Sequence, residues 1–333
     1  KFILDSTSRI SLSNNDAGAS NTVFGHTSGV NLASGGDKNT LFGKSTGNSI
    51  STGDNNTNIG WEAGYYNATG VNNTAIGSGA MMGAATGNVH DNNVAVGYYA
   101  LKVITTGDNN VAVGSNSGDA ITTGNLNIAI GLNALGKDTI GISTVAIGDN
   151  AGSQQVFGSA GSTGNVLVGS GAGFWNVTGT GNTYLGAGAG TGASGQSNNN
   201  NTGVGKSALA AITTGGSNVA VGNGAGAAIT TGASNVTVGY LAGDTMTGTG
   251  NTVLIGNSAG TAINSTDANG TVAIGYQAGA AITSAAGNIA IGYQALLTHT
   301  TGTNNIAIGY GAMDDTNQSA ATLGSTDNIF MGL

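Results

Sequence analysis

Apolar and polar positions along the 333-residue chain alternate in short bursts, each closed by a glycine and each recurring with little change. A burst reads Asn, β-branched, small, large apolar, Gly, as in Asn110-Val111-Ala112-Val113-Gly114 and Asn127-Ile128-Ala129-Ile130-Gly131. The closing glycines Gly97, Gly114, Gly131 and Gly148 lie 17 residues apart, as do Gly205, Gly222, Gly239 and Gly256. Other copies are longer by one to six residues, and the series runs from Gly25 to Gly332. Val and Ile at alternate positions are a strand signal of period two. Glycines bound the run too closely for a helix.

The rest of each repeat is equally ordered. Three positions after the closing glycine the residue is small (Ala63, Ala80, Ala100, Ser117, Ala134, Ala151), and the next is Gly, Leu or Met. Seven after, Ile recurs (Ile50, Ile104, Ile121, Ile212, Ile229, Ile263, Ile282), and ten after a second glycine recurs (Gly53, Gly107, Gly124). The Ala-Ile-Thr-Thr segment reads as a second short strand. One such pair of strands buries nothing alone, whereas stacked copies at the usual spacing of ~4.8 Å build a continuous core. The expected fold is therefore all-β: a parallel β-solenoid, or β-roll, of about 18 coils with a 17-residue repeat over residues 21–333. Residues 1–20 break the repeat and read as an N-terminal cap or a joint to an upstream part.

Each column acquires an expected role. The β-branched and large apolar pair is assigned to the inside of the coil. The small residue between them then faces outward: Ala75, Ala95, Ala112, Ala129, Ala146, Ala220, Ala273, Ala290 and Ala307. A strand apolar on both faces is usually covered on both, so this column is the expected contact between copies, most simply in a homotrimer about a threefold axis. The asparagines that open the bursts, among them Asn73, Asn93, Asn110, Asn127, Asn165, Asn218, Asn235, Asn288 and Asn305, are expected to form a ladder. Stacked amides bond one another and satisfy turn groups that burial would leave unpaired.

Composition narrows the function. The chain has 62 Gly, no Pro, no Cys and only 7% charged residues. Glycine falls short of one in three and Pro is missing, which excludes a collagen helix. Absent Pro suits strands that must donate every ladder hydrogen bond. A net charge of −8 without a basic run argues against nucleic acid. No Cys means no disulfide and no thiolate metal site, and no apolar stretch reaches the ~20 residues that insert as a membrane helix.

Candidate chemistry is sparse. His26, His90 and His299 occupy different places in the repeat and read as surface or turn residues rather than ligands. Asp37, Asp54, Asp91 and Asp108 share a column six before the closing glycine, where Asp is a standard turn residue; the glycine-rich nonapeptide of calcium-binding β-rolls is missing. Glu62 is the only Glu and no carboxylate pair stands apart, so neither an enzyme nor a cofactor is expected. Trp61, Tyr66 and Trp175 are candidate glycan contacts, against the plainer reading of aromatics as ladders sealing a corner.

Blocks such as Asn110 to Gly114, Asn127 to Gly131 and Asn288 to Gly292, each followed by x-x-Ala, resemble the head-domain repeats of trimeric autotransporter adhesins. The longer unit with its Ile-Thr-Thr-Gly insert (Ile104 to Gly107, Ile121 to Gly124, Ile212 to Gly215, Ile229 to Gly232) is similar to repeats of phage tail-fibre proteins. The resemblance covers residues 21–332 and implies a trimer of left-handed parallel β-rolls. The expected function is a structural or adhesive extracellular fibre, on a virion or a cell surface, that mediates attachment. Its partners are copies of itself and a cell-surface glycan or receptor. Alternatives are a self-assembling extracellular filament subunit, or an ice- or surface-binding solenoid using Thr105/Thr106, Thr122/Thr123, Thr213/Thr214 and Thr230/Thr231.

Overall fold

The computed structural model describes residues 10–11, 20–84, 88–158, 161–314 and 325–332. The chain divides into two compact units, Lys1–Asn165 and Val166–Leu333. Each is a parallel β-solenoid in which one three-residue strand recurs per coil. The first unit holds β1 (Ile10–Ser11), β2 (Thr22–Phe24), β3 (Thr40–Phe42), β4 (Thr57–Ile59), β5 (Thr74–Ile76), β6 (Val94–Val96), β7 (Val111–Val113), β8 (Ile128–Ile130) and β9 (Val145–Ile147). The second holds β10 (Val166–Val168), β11 (Thr183–Leu185), β12 (Thr202–Val204), β13 (Val219–Val221), β14 (Val236–Val238), β15 (Val253–Ile255), β16 (Val272–Ile274), β17 (Ile289–Ile291), β18 (Ile306–Ile308) and β19 (Ile329–Met331). From β2 onward each strand pairs in parallel with the next in its unit and in register, so that Val94 meets Val111 and Ala95 meets Ala112. The expected cap over residues 1–20 lies outside the described residues, apart from β1, which pairs antiparallel with β2, and Ser20.

The expected second strand is not formed. The Thr-Thr segment is a bend, yet its backbone still stacks coil on coil: Thr105 N–H donates to the Thr122 carbonyl at 2.9 Å and Thr122 to that of Thr139 at 2.8 Å. The closing glycines stack with one another. Gly114 has φ +134°, and a Cβ there would lie 2.6 Å from the Gly131 carbonyl oxygen, so only glycine permits the approach.

The facing of the strand is the reverse of the sequence expectation. Ala75, Ala95, Ala112, Ala129, Ala146, Ala220, Ala273, Ala290 and Ala307 are all buried inside their own coil, at most 1% exposed, and the β-branched residues on either side, Val or Ile except for Thr74, point outward. These alanines therefore cannot be the surface that meets another chain. The reason is parity. The Asn or Thr that opens each burst before the last is buried, and period two then puts the residue two further on, most often an alanine, on the same inner side.

A 17-residue coil has a narrow interior, and no described coil places a large side chain at both of two facing inward positions. Where the strand centre is large, the residue four after the closing glycine is Gly: Leu41 with Gly47, Leu167 with Gly173, Tyr184 with Gly190, Leu254 with Gly260. A Cβ at Gly47 would sit 2.9 Å from the Leu41 side chain, and one at Gly173 2.7 Å from that of Leu167. Where that residue is large the centre is small: Leu101 with Ala95, Leu135 with Ala129, Leu209 with Gly203, Leu296 with Ala290; in other coils, such as Ala112 with Gly118 and Ala220 with Gly226, both are small. These leucines are held at φ +48° to +54°, a conformation that side chains ordinarily avoid. Close packing of a narrow core outweighs that strain. Tyr184 is the largest inward side chain, and its hydroxyl donates to Asn198 Oδ1 at 2.5 Å.

Candidate functional site

Two ladders hold the coils in register. In the first, an Asn side-chain oxygen typically accepts from both the backbone N–H and the amide of the Asn one coil on. Asn93 Oδ1 takes Asn110 N at 2.8 Å and Nδ2 at 3.1 Å; Asn110 Oδ1 takes Asn127 N at 3.0 Å and Nδ2 at 3.1 Å. Asn73 serves Asn93 in the same way, as do Asn218 for Asn235 and Asn288 for Asn305. The amide also closes its own coil, as where Asn110 Nδ2 donates to the Gly124 carbonyl at 2.9 Å. The second ladder runs through the aspartate column. Asp37 N–H donates to Asp54 Oδ1 and Asp91 N–H to Asp108 Oδ1, each at 2.7 Å. These carboxylates are structural acceptors, and no group of three His, Cys, Asp or Glu suited to a metal exists among the described residues.

Where Thr144 replaces the ladder Asn, the interior supplies a substitute. Gln155 stands seven after Gly148, in the column that Ile usually fills. It accepts from Asn165 Nδ2 at 3.2 Å and donates to Thr144 Oγ1 at 3.0 Å and Asp138 Oδ2 at 3.3 Å; Thr144 and Thr163 hydroxyls bond at 2.6 Å. Asp138 Oδ1 accepts from Gly141 N at 3.0 Å, the same turn that Asn67 makes with Gly70 and Asn176 with Gly179. Burial raises the Asp138 carboxyl above its usual range, outweighing those hydrogen bonds. A raised carboxylate favours folding below its unfolded-state value and loses that contribution as pH rises through the folded one. Asp138→Asn keeps the turn through Oδ1 but sets its amide against the Gln155 Nε2 donor at every pH, so its denaturation midpoint relative to the unchanged protein is expected to be higher at about pH 7 than near pH 3. Urea titrations at the two pH values measure the difference.

Two of the three histidines are not surface residues. His90 is fully buried in a corner column otherwise held by Gly53, Gly70 and Gly107, and burial lowers its imidazole to about 4 despite the opposing charge of Asp91. His299 is also buried, in the inward Ile column, with its imidazole lowered by burial and Nε2 3.1 Å from Asn305 Nδ2. His26 is exposed. Nothing gathers the three into a reactive group.

The outer surface is where function can reside. From β2 to β18 the residues flanking the buried strand centre face outward, as do the residues just after the closing glycines. Phe24 and Phe42 stack with ring centroids 4.9 Å apart. In the second unit Tyr276, Tyr293 and Tyr310 form a face-to-face stack at 5.1 and 4.8 Å, flanked by a Gln277–Gln294 amide bond of 2.9 Å. The three candidate glycan contacts are not brought together. Trp61 is exposed in the column after the glycine. Tyr66 and Trp175 lie in another column, one in each unit, half-buried and packed edge-on against Tyr65 and Phe174. The threonine pairs make no free array: Thr105, Thr122, Thr213 and Thr230 each donate a hydroxyl to a carbonyl of the next coil at 3.0–3.2 Å, leaving only their neighbours exposed.

No protein-family model matches the sequence, and no curated protein matches it.

Proposed function

We propose that the chain is a structural and adhesive extracellular fibre of the tail-fibre or surface-adhesin kind, assembled as a homotrimer and serving attachment. The observation that carries this reading is the outward Val/Ile face. In every coil from β2 to β19 the residue before the closing glycine is large and apolar, from Phe24 through Val113 and Ile130 to Met331, and neither outward strand column contains a charge. Soluble monomers rarely leave a continuous apolar patch as long as the one on each unit uncovered. An uncharged, periodic face is complementary to itself, since identical columns at identical spacing meet without like-charge repulsion. The covered face is thus the outward strand pair, Val or Ile in most coils and opened by Thr in β2–β5, β11 and β12, with the strand centres lying behind it in the core. Many weak contacts on a repeated surface would also give a fibre its grip through multivalency.

Light scattering is expected to give three times the chain mass of 32.0 kDa, that is 3 × 32.0 = 96.0 kDa. Placing Lys at Val111 and Ile128, both half-exposed and outward, is expected to release the 32.0 kDa monomer with its circular dichroism retained. A wild-type monomer sinks the trimer. The ice-binding alternative is disfavoured by threonine hydroxyls already committed to backbone carbonyls.

A further inference from the structure

We infer that a niche in the turns that follow β4–β6, beside the strand face rather than on it, binds a neutral pyranose sugar of a polysaccharide between Trp61 and Tyr98. This rests on the adhesive reading above and names its ligand. Trp61, Ser78 and Tyr98 occupy one column, each just after a closing glycine, on three successive coils. The outer two are aromatic and exposed, at 45% and 50%, and the middle one is small. Two inter-strand steps separate the aromatic positions by about 10 Å. A ring touching a carbon face on each side needs roughly 7–8 Å, so one sugar ring fits over Ser78.

The Tyr276–Tyr293–Tyr310 stack shows what this column does when no gap is left. Its inner ring faces are spent on one another, and no ligand can lie on them. Trp61, by contrast, stacks on no other ring among the described residues. The next column differs: Glu62, then Gly79, then Tyr99, whose ring fills the space over Gly79 and packs against Tyr98 at 4.0 Å between centroids. Lys102 Nζ caps Tyr99 at 4.1 Å from its ring centre. Negative ring faces take the C–H face of a sugar, while the Ser78 hydroxyl and the Glu62 carboxylate are placed for sugar hydroxyls. Glu62 and the net charge of −8 oppose an anionic glycan, which makes a neutral one the fit.

The test uses the full chain carrying Trp175→Phe, so that Trp61 is the only tryptophan, titrated with cellohexaose, maltohexaose and chitohexaose. At least one sugar is expected to shift the Trp61 emission saturably. Ser78→Tyr, which completes a ring ladder this column already tolerates elsewhere, is expected to weaken that binding at least about tenfold with the thermal melt unchanged. Trp61→Ala, followed by calorimetry, is expected to do the same. A flat response to all three sugars, or undiminished binding by Ser78→Tyr, overturns the niche. A trimer that binds none of them removes the niche and leaves the fibre, whereas a monomer that binds removes the fibre and leaves the niche.

Discussion

Ala129→Leu is expected to lower the unfolding free energy by about 2–3 kcal/mol, and adding Leu135→Gly is expected to restore most of it. Ala129 is the centre of β8 and Leu135 the inward residue of the same coil, both buried. A leucine at the centre places its methyl groups where the Leu135 Cβ stands, as the Leu41–Gly47 and Leu254–Gly260 pairs show from the opposite side. Neither side chain can leave a closed coil, so strain or backbone displacement follows. Leu135→Gly alone is expected to cost about 2–5 kcal/mol through the lost buried side chain, although it also relieves a φ of +50°. The double variant reproduces an arrangement the chain already uses. Gly118 already stands in the preceding coil, so the two substitutions together give this stretch the pattern of Gly29, Leu41 and Gly47. Urea denaturation of the four proteins gives the coupling directly. Additive losses would mean that the two positions do not share one space.

This exchange was written in the sequence and is visible only once the inward facing is known. The repeat length, the strand before each closing glycine, the glycine corners and the stacked asparagines were all legible, because each recurs at fixed spacing. Period two leaves two phases, however, and hydropathy alone favoured the wrong one: Val111 and Val113 are more apolar than Ala112 between them. The deciding residue was Asn110. A ladder amide that closes the coil onto Gly124 must be inside, and parity then carries Ala112 inside with it. The narrow bore explains why alanine is enough there. The second strand failed for a different reason, since Thr105 and Thr122 stack between coils without adopting extended pairing. Gln155 and Asp138 were passed over because they break the Ile column, yet a broken column beside a missing ladder Asn is the signal that one compensates the other. On the outer face the same logic applies to Ser78, whose meaning depends on the aromatics one coil to either side.

Asn110→Ala is expected to cost on the order of 4 kcal/mol, more than any single outward substitution. The side chain has four bonds to lose or disturb. Its Oδ1 accepts from Asn127 N and Nδ2, and its Nδ2 donates to Asn93 Oδ1 and the Gly124 carbonyl. Alanine leaves two donors of Asn127 and one carbonyl buried without those partners, in a site fully closed to water. Asn110→Thr is expected to cost less, because Thr252 at the equivalent place still donates its N–H and hydroxyl to Asn235 Oδ1, at 3.1 and 2.8 Å. Asn110→Asp keeps the shape and inverts one end, turning a carboxylate oxygen toward the Gly124 carbonyl and Asn93 Oδ1. The new carboxyl is expected to be raised, so the variant should be weakest at neutral pH and recover as acid protonates it and restores the donor. Denaturation midpoints at about pH 7 and about pH 4 separate the three cases. If Asn110→Asp and Asn110→Ala behave alike at both values, the ladder amide is filling space and its hydrogen bonds are not what keeps neighbouring coils in register.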